Sequence, residues 1–202
     1  MARLNNCNLL VHFSHSGVDE MADNTCVSLS FAPLVYTRSD SLSPQHFGIN
    51  AMFADNGLAD VQSWLYFPAD PLQMDAVIDR VFFERGMRFV FSTRSKVPWI
   101  LKADGKTKFY GDGYKFIPGK DEIIIEGKAG YVVSFGDMLY RSHDAVLRCR
   151  EQGLDVGLVN KPTLNIVDED VIRKIGTTPF VLVVESLNQK TGVSTTCLLS
   201  RN

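Results

Sequence analysis

Apolar residues along the chain fall into short runs of two kinds. Asn8-Leu9-Leu10-Val11-His12-Phe13 is a continuous β-favouring run that breaks off in Ser14-His15-Ser16-Gly17 and then in acidic and polar residues. That is the pattern of a strand buried on both faces that empties into a loop at its carboxyl end. Val61–Phe67 and Arg88–Thr93 read the same way, the latter delivering Arg94, Ser95 and Lys96 at its end. Between them Met74, Val77, Ile78, Val81 and Phe82 recur at i, i+3, i+4, i+7 and i+8, one face of a helix. Asp70 stands as its N-cap, Pro71 at the first helical position, Gln73 in place for a capping box, and Gly86 as the stop.

The second half repeats the alternation. Gly130–Phe135 reads as a strand, and Gly136-Asp137 opens a helix with Met138, Leu139, Ala145, Val146 and Cys149 on one face and Gly153 as its cap. Asp155–Asn160 is the next strand, Asp168-Glu169-Asp170 puts acid into the first turn of a short helix to Ile175, and Pro179–Glu185 is a further strand. Strands alternating with helices predict an α/β protein: two three-layer units with mainly parallel sheets and right-handed crossovers. Residues 97–120, rich in Gly, Pro and Lys without a helical period, read as the extended linker that joins them. Residues 27–45 are Ser-rich, punctuated by Pro33 and Pro44, and keep no period, so they read as a loop or a disordered insert.

Composition narrows the function classes. With 21 Lys and Arg against 23 Asp and Glu, the chain has no basic field to hold nucleic acid or an anionic membrane. No apolar run approaches the roughly 20 residues of a membrane span. Cys7, Cys26, Cys149 and Cys197 show neither CxxC spacing nor a His companion, so no metal site is signalled and a reducing, cytoplasmic setting is expected. Cys7 and Cys149 read as small core residues and His12 as structural. His143 reads as a solvent-facing helix residue, and Arg88 and Lys96 as a solvated strand end.

Several short motifs, taken in order, resemble the carboxyl-terminal part of the transketolase family. Phe13-Ser14-His15 is similar to the family's Phe-Thr-His after a strand, Phe67-Pro68-Ala69-Asp70 to its Arg-Pro-Ala-Asp, and Ser92-Thr93-Arg94 to its Leu-Ser-Arg. Val132–Asp137 and Asp155–Asn160 stand where the family has Val-Ser-Thr-Gly-Ser-Glu and the following strand. The resemblance implies residues 1–102 as part of a pyrimidine-binding domain, 103–122 as linker, 123–192 as part of a transketolase C-terminal domain, and 193–202 as an unrelated tail. It implies transfer of a two-carbon ketol unit between sugar phosphates, with thiamine diphosphate and Mg²⁺ as cofactors.

By the same resemblance His15 sits by the cofactor and donor sugar, Asp23 holds a substrate hydroxyl, His46 gives or takes a proton, and Arg94 binds the substrate phosphate. These residue types suit the task, since a guanidinium forks onto a phosphate and imidazole moves protons near neutral pH. The sequence departs from the family in reading Ala22-Asp23-Asn24-Thr25-Cys26 in the substrate loop. The family's cofactor-activating Glu and its diphosphate and metal domain have no counterpart in these residues. Removing 27–45, which begins Val-Ser and ends in Gln as intron boundaries encode, restores the family's Asp-x-x-x-His spacing; a second Val-Ser opens the tail at Val193. The chain is therefore expected to be an inactive fragment of a dimeric enzyme, with 27–45 and the tail as intron read-through. Two other readings stay open: the carboxyl-terminal subunit of a split transketolase that meets a chain carrying the diphosphate domain, and a non-catalytic α/β binding module.

Overall fold

The computed structural model describes residues 10–14, 34–39, 63–84, 87–93 and 96–185. The first unit is a parallel sheet of β1 (Leu10–Ser14), β2 (Leu34–Ser39), β3 (Ser63–Tyr66) and β4 (Met87–Thr93) in the order β1-β2-β4-β3. Helix α1 (Pro71–Val81) connects β3 to β4. Three of these strands fall on the expected apolar runs. The fourth does not: β2 lies inside the stretch read as a loop, and it takes a central place between β1 and β4. Its Leu-Val-Tyr-Thr core is β-favouring. The surrounding serines and prolines hide so short a run.

Helix α1 begins as its caps dictate. Asp70 is extended, its Oδ1 accepting from Gln73 N at 2.9 Å, and Pro71 opens the first turn. Gln73 Oε1 returns to the backbone as a capping box would, taking Ala69 N at 2.7 Å, one residue earlier than the standard partner. Val77 and Val81 are buried with Tyr66, Val90 and Phe116, and Met74, Ile78 and Phe82 pack half-buried around them. Each fully buried Val stabilises this layer by about 2 kcal/mol. The helix ends at Val81, and Arg88 explains why it can end there. Its Nη1 donates to Val81 O at 2.7 Å, to Phe82 O at 3.0 Å and to Glu84 O, so a buried guanidinium from β4 collects the last carbonyls. Arg88 is 1% exposed, which corrects its reading as a solvated residue.

The second unit is a sheet in the order β5-β7-β6-β8: β5 (Glu122–Ile125), β6 (Gly130–Ser134), β7 (Val156–Asn160) and β8 (Val181–Val184). β6, β7 and β8 are parallel; β5 is an antiparallel edge strand, to which sequence reasoning assigned no element. Helix α2 (Leu139–Glu151), entered through a 3₁₀ turn at Gly136–Met138, packs on one face through Leu139 and Val146 against Val132 and Leu158. Helix α3 (Glu169–Gly176) covers the other face, where Ile175 meets Tyr131, Val133 and Val159. Two readings of α2 are corrected. His143 is buried with Nε2 2.9 Å from Leu101 O, and Ala145 is exposed. The helix turns its Ser142-His143 side inward because the connecting segment, not solvent, lies against it. That segment lacks regular structure but is no free tether: Ile100, Tyr110 and Phe116 are buried.

The two units are joined strand to strand. Residues 162–165, beyond β7, run antiparallel along the outer side of β3: Leu164 N donates to Leu65 O at 2.9 Å and Phe67 N to Pro162 O at 2.8 Å, with Tyr66 opposite Thr163. Phe67 stacks on Phe91 at 4.3 Å between ring centroids and meets Phe135 edge-on at 5.4 Å. Gly136, at φ +54° in the left-handed region, turns the chain beside the Phe67 ring.

Candidate functional site

All four strands of the first sheet run the same way, so their carboxyl ends form one edge. The register aligns Ser14 of β1 with Arg38 of β2, and Arg38 with Ser92 of β4. The strands that lead into His15 and Arg94 therefore finish level with each other, separated by one strand. In open parallel sheets this edge is where ligands bind. The side chains sequence reasoning chose, His15, Asp23, His46 and Arg94, lie outside the described residues. The loop Phe67-Pro68-Ala69-Asp70, which leaves β3 at the same edge, is described in full.

Behind that loop lies a buried polar cluster that sequence reasoning missed, built where α1, the connecting segment and the second sheet meet. Its hub is Glu122, the first residue of β5. Glu122 Oε2 accepts from Gln73 Nε2 at 3.0 Å, Tyr110 Oη at 2.9 Å and Asn160 Nδ2 at 3.1 Å, and Oε1 accepts from Tyr114 Oη. The donors accept in turn: Tyr110 Oη takes Asn160 Nδ2 at 2.8 Å, Tyr114 Oη takes Gln73 Nε2 at 3.2 Å, and Gln73 Oε1 takes Asn160 Nδ2 at 3.2 Å. Burial pushes the Glu122 carboxyl above its ordinary range, and the four donors pull it back. Burial, followed by the Glu122 charge, also drives the hydroxyls of Tyr110 and Tyr114 upward, so both stay protonated donors. Four donors converge on this one carboxylate, so the group organises its surroundings.

One residue along each strand, a second pair faces the opposite way. Asp121 and Lys161 are both buried, with Nζ 3.3 Å from Oδ1, and Lys161 also donates to Ile166 O at 2.5 Å. Burial raises the Asp121 carboxyl to about 6 against the pull of Lys161. Asp168 lies next to this pair. Although burial opposes its charge, Asp121 N at 3.0 Å and Lys120 Nζ at 3.2 Å hold its carboxyl below the usual value. Lys120 reaches Asp170 as well, at 3.2 Å. Among the described residues no group of three His, Cys, Asp or Glu side chains could hold a metal ion. No helix among them is long and apolar enough to cross a membrane.

One signal for the Glu122 cluster was present in the sequence. Asp121-Glu122 stands directly before Ile123-Ile124-Ile125, and Asn160-Lys161 directly after Val156–Val159, so each pair carries polar groups into the end of a buried strand. Such groups need partners from another element.

Residues 119–198 match the family model described as transketolase, C-terminal domain. One of the subunits of the apulose-4-phosphate transketolase of Actinobacillus succinogenes is 26% identical over 186 residues, covering 87% of this chain and 53% of its own length. A transketolase family protein of Sinorhizobium fredii is 26% identical over 105 residues, 52% of this chain and 28% of that protein. The chain thus spans about half the length of the first relative and less than a third of the second. Among solved structures, a split-gene transketolase, an inactive "beta4" tetramer, matches with a TM-score of 0.73 at 16% identity, over 95% of this chain and 63% of that one. A Pichia stipitis transketolase mutant in complex with fructose 6-phosphate matches at 0.61 and 16% identity, over 89% of this chain and 27% of that one. These structural likenesses establish the fold: two α/β units with mainly parallel sheets.

Proposed function

From the chain's membership of the transketolase family, shown by its carboxyl-terminal unit and its curated relatives, we propose that it is the pyrimidine-binding and carboxyl-terminal half of a transketolase-type enzyme whose diphosphate domain is a separate chain. The observation that carries this reading is the relative named as a subunit, which aligns with 87% of this chain. The split-gene neighbour, matched over 95% of the chain, supports the same division. The completed assembly, in the cytoplasm and with two such halves, transfers a two-carbon ketol unit between sugar phosphates.

Thiamine diphosphate with Mg²⁺ supplies the carbon nucleophile and electron sink of that chemistry when bound. Glu122, the acid at the hub of the polar cluster, has its oxygens taken by four protein donors, so it cannot activate a cofactor ring. The residues we assign to the sugar are those that follow β1, β2 and β4 in the chain. His15 orients the donor, Asp23 accepts from one of its hydroxyls, His46 moves a proton at a substrate oxygen, and Arg94 forks onto the phosphate.

The test compares the purified chain with the chain mixed with a diphosphate-domain chain from the same cells, both given thiamine diphosphate, Mg²⁺, fructose 6-phosphate and an aldose phosphate. Turnover only in the mixture supports the split enzyme. Turnover by the chain alone refutes the division, and none in either refutes the reading in favour of a binding module. In the active mixture Arg94→Ala raises KM for the phosphorylated donor most, and an unchanged KM removes Arg94 from the phosphate site.

A further inference from the structure

We infer that the second unit positions the β3–α1 loop at the carboxyl edge of the first sheet, with Glu122 and Asn160 as positioning residues that set the direction of the Gln73 side-chain amide. The loop Phe67-Pro68-Ala69-Asp70 has few backbone N–H groups, and two of them are held from outside the loop. Phe67 N is held by Pro162 O at 2.8 Å, Pro68 has none, and Ala69 N is held by Gln73 Oε1 at 2.7 Å. Asp70 is tied by its side chain to Gln73 N and to Ile100 N, each at 2.9 Å.

The Ala69 bond depends on which end of the Gln73 amide faces it. A primary amide has one accepting and one donating end, and turning it over would set an NH₂ against the Ala69 N–H. A carboxylate can only accept, so Glu122 at 3.0 Å takes the Nε2 end. Asn160 Nδ2, a donor, takes the Oε1 end at 3.2 Å. Both constraints point Oε1 at Ala69, and both come from the second sheet, where Glu122 and Asn160 are register partners across β5 and β7. Gln73 is fully buried, so water cannot substitute for either. The second unit therefore fixes one wall of the edge where β1, β2 and β4 also end.

The test uses hydrogen exchange of the full chain, read at the Ala69 amide against amides of β6 and β7. Glu122→Gln keeps the shape but replaces one accepting oxygen of the hub with an NH₂, so the hub no longer fixes the Gln73 amide by acceptance alone, and it is expected to speed Ala69 exchange about tenfold, the equivalent of one ordinary hydrogen bond, with β6 and β7 unchanged. The swap Gln73→Glu with Glu122→Gln restores an acceptor facing Ala69 and a donor facing the hub, and is expected to bring exchange back. Asn160→Ala, which removes the other orienting group, is expected to move Ala69 in the same direction as Glu122→Gln. Unchanged Ala69 exchange in both single variants overturns the inference. So does a rise matched in β6 and β7, which marks general loosening, or a swap that fails to rescue. The placement beside a catalytic site rests on the function proposed above, but this readout does not. If the exchange pattern holds and no mixture turns over sugar phosphates, the positioning stands and the function falls. In an active mixture Glu122→Gln lowers kcat more than it raises KM, and the swap recovers kcat.

Discussion

Replacing Asp70 isolates the joint between α1 and the connecting segment. Its two oxygens serve different clients: Oδ1 caps the helix at Gln73 N and Oδ2 takes the buried Ile100 N, both at 2.9 Å. Asp70→Ala removes both. Loss of an N-cap costs about 1 kcal/mol, and an orphaned buried N–H about 1–3 kcal/mol. Against this stands the relief of a carboxylate that burial makes harder to ionise, since desolvation raises its pKa. The net expectation is a loss of about 2–3 kcal/mol. Asp70→Ser keeps the cap but cannot reach Ile100, and Asp70→Asn keeps the cap while setting an NH₂ against the Ile100 N–H. Each should lose about 1–2 kcal/mol, so the order of stability is Asp, then Ser and Asn, then Ala. Urea unfolding reads the series directly. With a slope of about 2 kcal/mol/M the alanine variant unfolds about 1–1.5 M earlier, at unchanged slope. An asparagine variant as stable as the parent would strike out the Ile100 bond. An alanine variant within about 0.5 kcal/mol of it would refute the reasoning.

Two further outcomes follow from groups buried elsewhere. Asp121, raised in the fold to about 6 from an ordinary 3.8, binds a proton more readily folded than unfolded. Its contribution is therefore complete below the unfolded value and lost as pH rises through about 6. The stability of the parent minus that of Asp121→Asn should climb as pH falls from 7 to 4, and a flat or falling difference in urea midpoints would contradict the burial argument. Among the described residues the buried Tyr66 hydroxyl has no hydrogen-bond partner, while its ring meets Phe116 edge-on at 5.6 Å. Tyr66→Phe keeps the ring contact and should raise stability by up to about 1 kcal/mol, whereas a loss of that size in thermal unfolding would reveal a partner for the hydroxyl.

What could be read from the sequence was whatever carries its own period or cap. The face of α1, its Asp70-Pro71 start, and the runs that became β3, β4, β6, β7 and β8 all announce themselves locally. β2 did not, because Leu34–Ser39 is flanked by serines and prolines and becomes a strand only through its neighbours on both sides. β5 was missed because it follows a Gly- and Lys-rich stretch and pairs with β7, over thirty residues away. Arg88 and His143 were read as exposed because charge and imidazole usually are. Arg88 is buried because α1 ends in carbonyls that need a donor, and His143 because Leu101 O lies against it. The family resemblance, carried by ordered motifs, reached the fold and the relatives. Glu122 announced itself only as a polar residue at the end of a buried strand; its four donors were not legible, because they come from three separate stretches of chain.

The antiparallel run of residues 162–165 along β3 bears on how this protein can be taken apart. Cutting the chain in the connecting segment to study either unit alone would strip the first sheet of its guard and leave Leu65 and Phe67 with backbone groups seeking any strand that passes. A dissected first unit would be adhesive, and its self-association would say nothing about the native assembly. Any piece that keeps β3 paired along its outer side must reach through at least Asn165, which makes the border drawn between the two domains a border in name more than in mechanics.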